Sequence, residues 1–130
     1  MSEEAKKAAK EVLKEIRKQV KRLRWAREKG NDEEYDRVME KILNSALEVS
    51  VRSTWWAPVG QELKPNEYRI LLMWGGPAVH ITGELDDNGE PYSARLEYQD
   101  WYEPWQEYSL DAEALDDLLE FAKCFYYVID

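Results

Sequence analysis

The hydrophobic period of this chain changes near residue 48, and that change constrains the fold more than any other feature of the sequence. Before it, apolar side chains recur every three or four residues, which is typical of amphipathic helices. After it, apolar and polar residues alternate, which is typical of strands. The sequence therefore predicts an α+β fold: an N-terminal helical hairpin, a four-stranded antiparallel meander and a C-terminal helix packed on the sheet.

The first 48 residues predict two helices joined by a very short link. The first, over residues 3–29, carries an apolar stripe made by Ala5, Ala9, Val12, Ile16, Val20 and Leu23. The second runs from about Asp32 to Leu47, with Asn31 as its N-cap and Glu34 at capping-box spacing. Gly30 is the expected stop of the first helix. A link of only Gly30-Asn31 favours antiparallel packing of the two helices.

Four runs of residues predict the strands of the meander, at 49–56, 68–74, 78–85 and 92–102. Asn88-Gly89 marks a hairpin between the last two, because Gly adopts positive φ without strain. In the last strand we expect two faces, one with Ala94, Leu96 and Tyr98 and the other with Arg95, Glu97 and Gln99. Residues 103–108 are expected to form a loop or a ragged edge.

The end of the chain predicts a third helix with Ser109 as its cap. Its inward side is expected to consist of Leu115, Leu118, Leu119 and Ala122. Residues 125–129 are expected to end the chain as a short strand or an apolar tail. With 130 residues the chain suits one domain around one core, so 1–130 is interpreted as a single domain with segments 1–48, 49–108 and 109–130.

Charge is distributed unevenly along the chain, whose net formal charge is −9. Residues 1–30 carry a net charge of +6, whereas residues 51–130 carry −11. An anionic body repels nucleic-acid phosphates and attracts basic surfaces. We therefore expect no direct nucleic-acid binding by the body. The expected partner is a basic protein surface, of which a nucleic-acid-binding groove is one kind.

The residues that usually support chemistry are sparse. Cys124 is the single cysteine and His80 the single histidine, so no internal disulfide and no zinc site of N and S ligands is expected. Both are interpreted as structural core residues. No apolar run is long enough to cross a membrane and the N-terminus is too polar for a secretory signal, so a cytoplasmic location is expected. No cofactor, metal or catalytic residue is predicted.

Two other groups of polar residues could support chemistry or binding, but we favour a structural explanation for each. The carboxylates around the last strand could do acid–base work, but a solvated acidic face explains the same set: Glu84, Glu97, Asp100, Glu103 and Glu107. The basic end of the first helix, with Trp25 beside it, could touch phosphates and a base. We expect it instead to pair with the acidic body. Gly75-Gly76-Pro77 lacks the pattern of a phosphate-binding loop and predicts a turn.

Residues 100–108 form the most unusual segment, with four aromatic and three acidic residues around a proline. One interpretation is that these aromatics close the end of the core beside Trp55, Trp56 and Trp74. The other is a recognition surface of rigid aromatic anchors ringed by acids, suited to an Arg- and Lys-rich partner. The residues predicted to bind a partner are Asp100, Trp101, Tyr102, Glu103, Trp105 and Glu107.

Residues 51–108 carry a set of short motifs in a specific order and spacing. They are Arg52-Ser53-Thr54-Trp55, 68–72, 75–79, Gly83-Glu84-Leu85, 95–101, Pro104-Trp105 and Tyr108. This segment resembles a family of small uncharacterised acidic proteins encoded by phages and mobile elements of Gram-positive gut bacteria. The resemblance implies no activity. Genes in that setting are often accessory, and many encode inhibitors of host-defence nucleases.

Three hypotheses for function follow. The first is a non-enzymatic protein-binding module, an inhibitor of a nucleic-acid-handling host-defence enzyme that acts through its acidic aromatic surface. The second is a redesigned or generated scaffold without a natural ligand, suggested by the strong helix formers and clean caps of the first 50 residues. The third is a small hydrolase that uses Glu97 or Asp100.

Overall fold

The N-terminal hairpin consists of α1 (Ser2–Lys29) and α2 (Asp32–Ser45), in a computed structural model that describes residues 2–128. Gly30 ends α1 with a φ of 63°, a conformation that favours glycine. The Asn31 side chain caps α2 by accepting from the Glu34 N–H at 3.1 Å. The predicted hairpin is thus found, although α2 ends before Leu47 because Ala46 is already extended.

Five strands form one antiparallel sheet in sequential order, not the four that the sequence predicted. They are β1 (Glu48–Arg52), β2 (Glu67–Met73), β3 (Ala78–Glu84), β4 (Arg95–Gln99) and β5 (Gln106–Glu107). The fifth strand pairs Tyr98 with Gln106 and Glu97 with Glu107. It lies within the segment that was expected to be a loop or a ragged edge.

Two strands are shorter than predicted. β1 stops at Arg52, so Trp55 and Trp56 follow it in a loop. β4 stops at Gln99, because the Asp100 carboxylate accepts from the Trp101 N–H and Tyr102 takes a φ of 61°. These local interactions reverse the chain and return it as β5.

The helices cover one face of the sheet and leave the other face open. α1 contacts β3 and β4, with α2 and α3 (Ala112–Ala122) on either side of it. The covered face carries the apolar side chains of the core, including Tyr68, Ile70, Val79, Ile81, Leu96 and Tyr98. In β4, Ala94, Leu96 and Tyr98 are buried while Arg95, Glu97 and Gln99 are more exposed, as the alternation predicted. The open face is therefore the polar one.

The C-terminal helix differs in detail from its prediction. Asp111 is the N-cap, accepting from the Ala114 N–H at 2.8 Å, so the assignment of Ser109 was wrong. A carboxylate at this position also favours the positive end of the helix dipole. Leu115 was expected to face inward but is 40% exposed. After α3 the described chain forms no strand through Val128, and Ile129 lies outside the described residues.

Candidate functional site

Antiparallel register brings polar residues from four strands together on the open face of the sheet. One row across the sheet runs from Ser50 through Arg69 and Thr82 to Arg95. The next row contains Leu71, His80, Glu97 and Glu107. These rows line a groove with a volume of about 410 Å³, which we call the sheet groove. Its lining residues are Ser50, Val51, Arg52, Glu67, Tyr68, Arg69, His80, Thr82, Gly83, Arg95, Glu97 and Trp105.

His80 and Glu97 form a hydrogen-bonded pair in this groove, in which His80 is buried and Glu97 is partly buried. The His80 Nε2 and Glu97 Oε1 atoms are 2.7 Å apart, and the Thr82 hydroxyl donates to the same oxygen at 3.2 Å. The Trp105 indole stacks on the imidazole, with ring centroids 3.6 Å apart and planes inclined by 16°. His80 is only 4% exposed, so burial lowers its pKa, against the opposing effect of the Glu97 hydrogen bond.

Arg69 is the cation of the sheet groove that has no carboxylate partner among the described residues. Its neighbours on the same face are both paired: Arg52 to Glu67 at 2.5 Å, and Arg95 to Glu84 at 3.1 Å. The Arg69 guanidinium carbon lies 5.9 Å from the Trp105 ring centroid, and its Nε atom is buried without a hydrogen bond. The Nδ1 atom of His80 is likewise buried and unpartnered.

The sheet groove has the parts for polar binding, and it contains Glu97, one of the two carboxylates named in the hydrolase hypothesis. In the described part of the chain the imidazole hydrogen-bonds only to Glu97, and Thr82 donates to Glu97 rather than to His80. A general acid needs a raised pKa. The Ser93 hydroxyl lowers the pKa of Glu84, and the Trp101 N–H lowers that of Asp100. Both shifts are in the wrong direction for an acid catalyst.

No protein family, curated protein or solved structure matches this chain. Within residues 2–128, no group of three or more His, Cys, Asp or Glu side chains is arranged to hold a metal ion. No helix in that range combines the length and apolar character that crossing a membrane requires.

The six residues predicted to bind a partner are divided between two surfaces. Trp101 and Tyr102 lie in the turn between β4 and β5, where they are 63% and 101% exposed and their ring centroids are 6.1 Å apart. Asp100 and Glu103 belong to the same turn. Trp105, by contrast, is turned onto the open face against His80, and Glu107 lies on β5 opposite Glu97.

The Gly75-Gly76-Pro77 segment forms the turn that sequence analysis predicted, and it carries part of the aromatic cluster. The Trp101 indole lies directly over Gly76, in space that a Cβ atom would occupy. Trp74, which is 67% exposed, precedes the same turn. We use the name turn surface for Trp74, Trp101 and Tyr102 together with Asp100 and Glu103.

A second group of exposed aromatics lies at the other end of the sheet. The loop after β1 and the hairpin between β3 and β4 enclose a groove of about 870 Å³. Its lining includes Trp55, Leu63 and Tyr92 with the acids Glu62 and Asp87. We call it the loop groove. The interpretation that the aromatics of residues 100–108 close the end of the core beside Trp55, Trp56 and Trp74 is wrong for Trp101 and Tyr102, which are exposed like those three indoles. Tyr108, by contrast, is partly buried against the core.

Two arginines at the basic end of α1, Arg24 and Arg27, pair with carboxylates of α3, as expected, whereas Arg22 pairs with Glu34 of α2. Asp117 of α3 accepts from Arg17 at 2.9 Å and from Arg24 at 2.6 Å, while Glu120 binds Arg24 and Arg27. These arginines therefore form ion pairs within the chain. Arg22 also lies over the Trp25 ring, 4.9 Å from its centroid.

Sequence analysis missed Arg69. The signal was present, because Arg69 is the single charge within the apolar run from Tyr68 to Trp74. A charge in such a run either reaches solvent or faces a partner across the sheet. Only the register between β2 and β3 shows that it faces Thr82 beside the His80–Glu97 pair.

Proposed function

We propose that this chain is a non-enzymatic protein-binding module that docks onto a basic protein surface through the turn surface. The observation that carries the proposal is the exposure of Trp74, Trp101 and Tyr102 around one pair of adjacent turns. Large apolar side chains grouped on a surface are typical of interaction sites. Trp and Tyr are also the residue types that most often dominate binding energy.

The geometry of the turn supports this role because the aromatic side chains are carried on an ordered backbone. Asp100 accepts from the Trp101 N–H at 2.9 Å, and the Gln99 amide donates to the Glu103 carbonyl at 2.8 Å. Tyr102 occupies the left-handed region at φ 61°, which a non-glycine residue adopts only where its surroundings impose it. An ordered turn loses little conformational entropy on binding.

The charge of the molecule sets the chemistry of the partner. Asp100 and Glu103 flank the aromatics, and the chain as a whole carries a net charge of −9. A Lys- and Arg-rich surface complements the acidic residues through ion pairs, and it complements the aromatic residues by placing cations over their rings. A groove that normally holds phosphates has this charge. Together with the resemblance of residues 51–108, this supports an inhibitor of a nucleic-acid-handling host-defence enzyme.

The competing hypothesis is a redesigned or generated scaffold with no ligand. The regular hairpin, with its Gly30 stop and Asn31 cap, favours that origin for the N-terminal segment. An ideal scaffold has no need for exposed tryptophans, since they promote association. The two hypotheses differ in whether the turn surface binds anything.

Selection of Lys- and Arg-rich peptides from a display library against the intact chain tests the proposal. We expect a peptide whose affinity falls as salt is raised, because charged contacts are screened. Trp101→Ala combined with Tyr102→Ala should weaken its binding by about tenfold or more, as is usual when two anchors are lost. Fluorescence anisotropy of the labelled peptide provides the dissociation constant.

The loop groove supplies the matched control. Trp55→Ala combined with Trp56→Ala removes exposed aromatic residues at the opposite end of the sheet. That variant should bind the selected peptide within about twofold of the original chain, which is a difference of under 1 kcal/mol. Loss of binding in the control but not in the turn variant would place the site elsewhere. Failure to select any basic peptide would support the scaffold hypothesis.

A further inference from the structure

We propose that the sheet groove is a binding site for a small oxyanion, a carboxylate or a phosphate group, with Arg69 as its main ligand. This site is separate from the turn surface, and it does not depend on the function proposed above. Three observations support it: an unpaired guanidinium, the polar residues beside it on the adjacent strands, and an aromatic wall formed by Trp105.

The unpaired guanidinium is the first observation. Arg69 projects from the middle of β2 and is half-buried, yet no described carboxylate lies within 4 Å of it. Its Nε–H is fully buried without an acceptor. A buried charge without a partner is unfavourable, and a buried N–H without an acceptor costs about 1–3 kcal/mol. A bound oxyanion would satisfy both requirements with one bidentate contact.

The donors around Arg69 are the second observation. On adjacent strands its register partners are Ser50 and Thr82, and the row ends with Arg95. Among the groove residues three are arginines and two are glutamates, Glu67 and Glu97. Glu67 is held by Arg52, while Glu97 accepts from His80 and Thr82. Since Arg95 is paired with Glu84 just outside the groove, Arg69 is the groove arginine that lies within 4 Å of no described carboxylate.

The wall of the groove is the third observation. Trp105 covers His80 and borders Arg69, so that an apolar indole ring forms one side of the groove. A charge-assisted hydrogen bond is stronger in such a place than on an open surface. The groove volume of about 410 Å³ suits a small molecule and falls within the range of ligand pockets.

Nuclear magnetic resonance of the Arg69 Nε–H group tests the site directly. Inorganic phosphate and acetate are titrated separately into the intact protein at constant ionic strength. We expect a saturable shift of the Arg69 Nε–H resonance with at least one of the two anions. The anion with the lower dissociation constant identifies the group, phosphate or carboxylate, that the natural ligand carries.

Two variants make the test specific. Arg69→Gln should weaken anion binding by about tenfold or more, since the charged ligand is lost. Lys64→Gln removes the same charge at an exposed position outside the sheet groove and leaves Arg69 intact, so it should change affinity by about threefold or less. Circular dichroism confirms that both variants are folded.

Three outcomes would overturn the proposal. One is the absence of a saturable shift with either anion. Another is a linear shift that sodium chloride reproduces, which would indicate screening alone. The last is equal weakening by Arg69→Gln and Lys64→Gln, which would indicate a general effect of net charge. None of these results bears on peptide binding by the turn surface, so the two proposals fail independently.

Discussion

His80 and Glu97 meet across β3 and β4 with 2.7 Å between Nε2 and Oε1, beneath the Trp105 indole. The imidazole is held between two opposing influences. Burial disfavours its protonated form, whereas the Glu97 carboxylate favours it, and burial is the larger effect. The pKa of His80 in the folded chain is therefore below its ordinary value of 6.5.

This lowered pKa predicts how His80 contributes to the pH dependence of stability. Above pH 6.5 the imidazole is neutral in both states, so it adds no pH dependence. As pH falls below 6.5 the unfolded chain binds the proton first, and stability is lost until the folded pKa is passed. In this window the free energy of unfolding of the original chain should therefore fall relative to that of His80→Gln. Urea unfolding at a series of pH values measures it.

The comparison with His80→Gln matters because the carboxylates of the chain also titrate at low pH. Their contribution is common to both proteins and cancels in the difference. If the original chain instead gained stability relative to His80→Gln as pH fell, the Glu97 contact would outweigh burial, and the description of this pair would be wrong.

Asp117 is predicted to be the main polar link between α1 and α3. It is buried and accepts from both Arg17 and Arg24, so Asp117→Asn leaves two guanidiniums with a weaker acceptor. We expect the variant to lose about 1–3 kcal/mol of stability in urea unfolding. Asp116→Asn, at the exposed neighbouring position, should change stability by about 0.5 kcal/mol or less. Equal effects of the two substitutions would contradict a specific role for Asp117.

Two glycines of the sheet region are predicted to respond differently to alanine. A Cβ atom on Gly83 would collide with the Ser93 carbonyl and the Tyr68 ring, which are fixed by a hydrogen bond of 2.6 Å between them. Gly83→Ala should therefore destabilise the fold by at least about 1–3 kcal/mol. The three atoms nearest to a Cβ atom on Gly76 all belong to the Trp101 side chain, which can move.

Gly76→Ala consequently serves as the partner experiment. We expect its free energy of unfolding to lie within about 1 kcal/mol of that of the original chain. Its tryptophan fluorescence should change, because Trp101 is displaced. Thermal unfolding together with emission spectra measures both quantities. A large loss of stability in Gly76→Ala would show that Trp101 is part of the core rather than of the turn surface.

The thiol of Cys124 is predicted to be unreactive in the folded protein. Burial raises its pKa to about 11, with the Glu120 carboxylate adding to the effect. Compared with a thiol of pKa 9.0, the thiolate fraction at pH 8 is smaller by about a hundredfold, and the thiolate is the reacting form. Labelling with a thiol-disulfide reagent at pH 8 should be slow by about that factor, and urea should restore the rate. Rapid labelling of the folded chain would contradict the burial of this side chain.

Local signals explain why much of the fold could be predicted. Gly30 and Asn31 act within one helical turn, and the Asn88-Gly89 hairpin needs only the positive φ that Gly89 adopts at 79°. The alternation in β4 is also local, because successive side chains of a strand point to opposite faces. It correctly placed Leu96 inward and Glu97 outward.

The parts that could not be predicted depend on contacts between distant segments. β5 contains only Gln106 and Glu107, too few residues to show any period, and it exists because Tyr98 and Glu97 lie opposite. The sheet groove requires the register of β2, β3 and β4, which joins Arg69, His80 and Glu97. The exposure of individual tryptophans could not be predicted either, because both a core and a recognition surface were consistent with the sequence.

The central claim is that the exposed aromatics of the turn surface are a binding site, and the indole N–H resonances of the six tryptophans test it most directly. With the selected basic peptide bound, we predict that the Trp101 and Trp74 resonances shift, while those of Trp55 and Trp56 stay in place. Shifts confined to Trp55 and Trp56, or no indole shift at saturating peptide, would contradict the account.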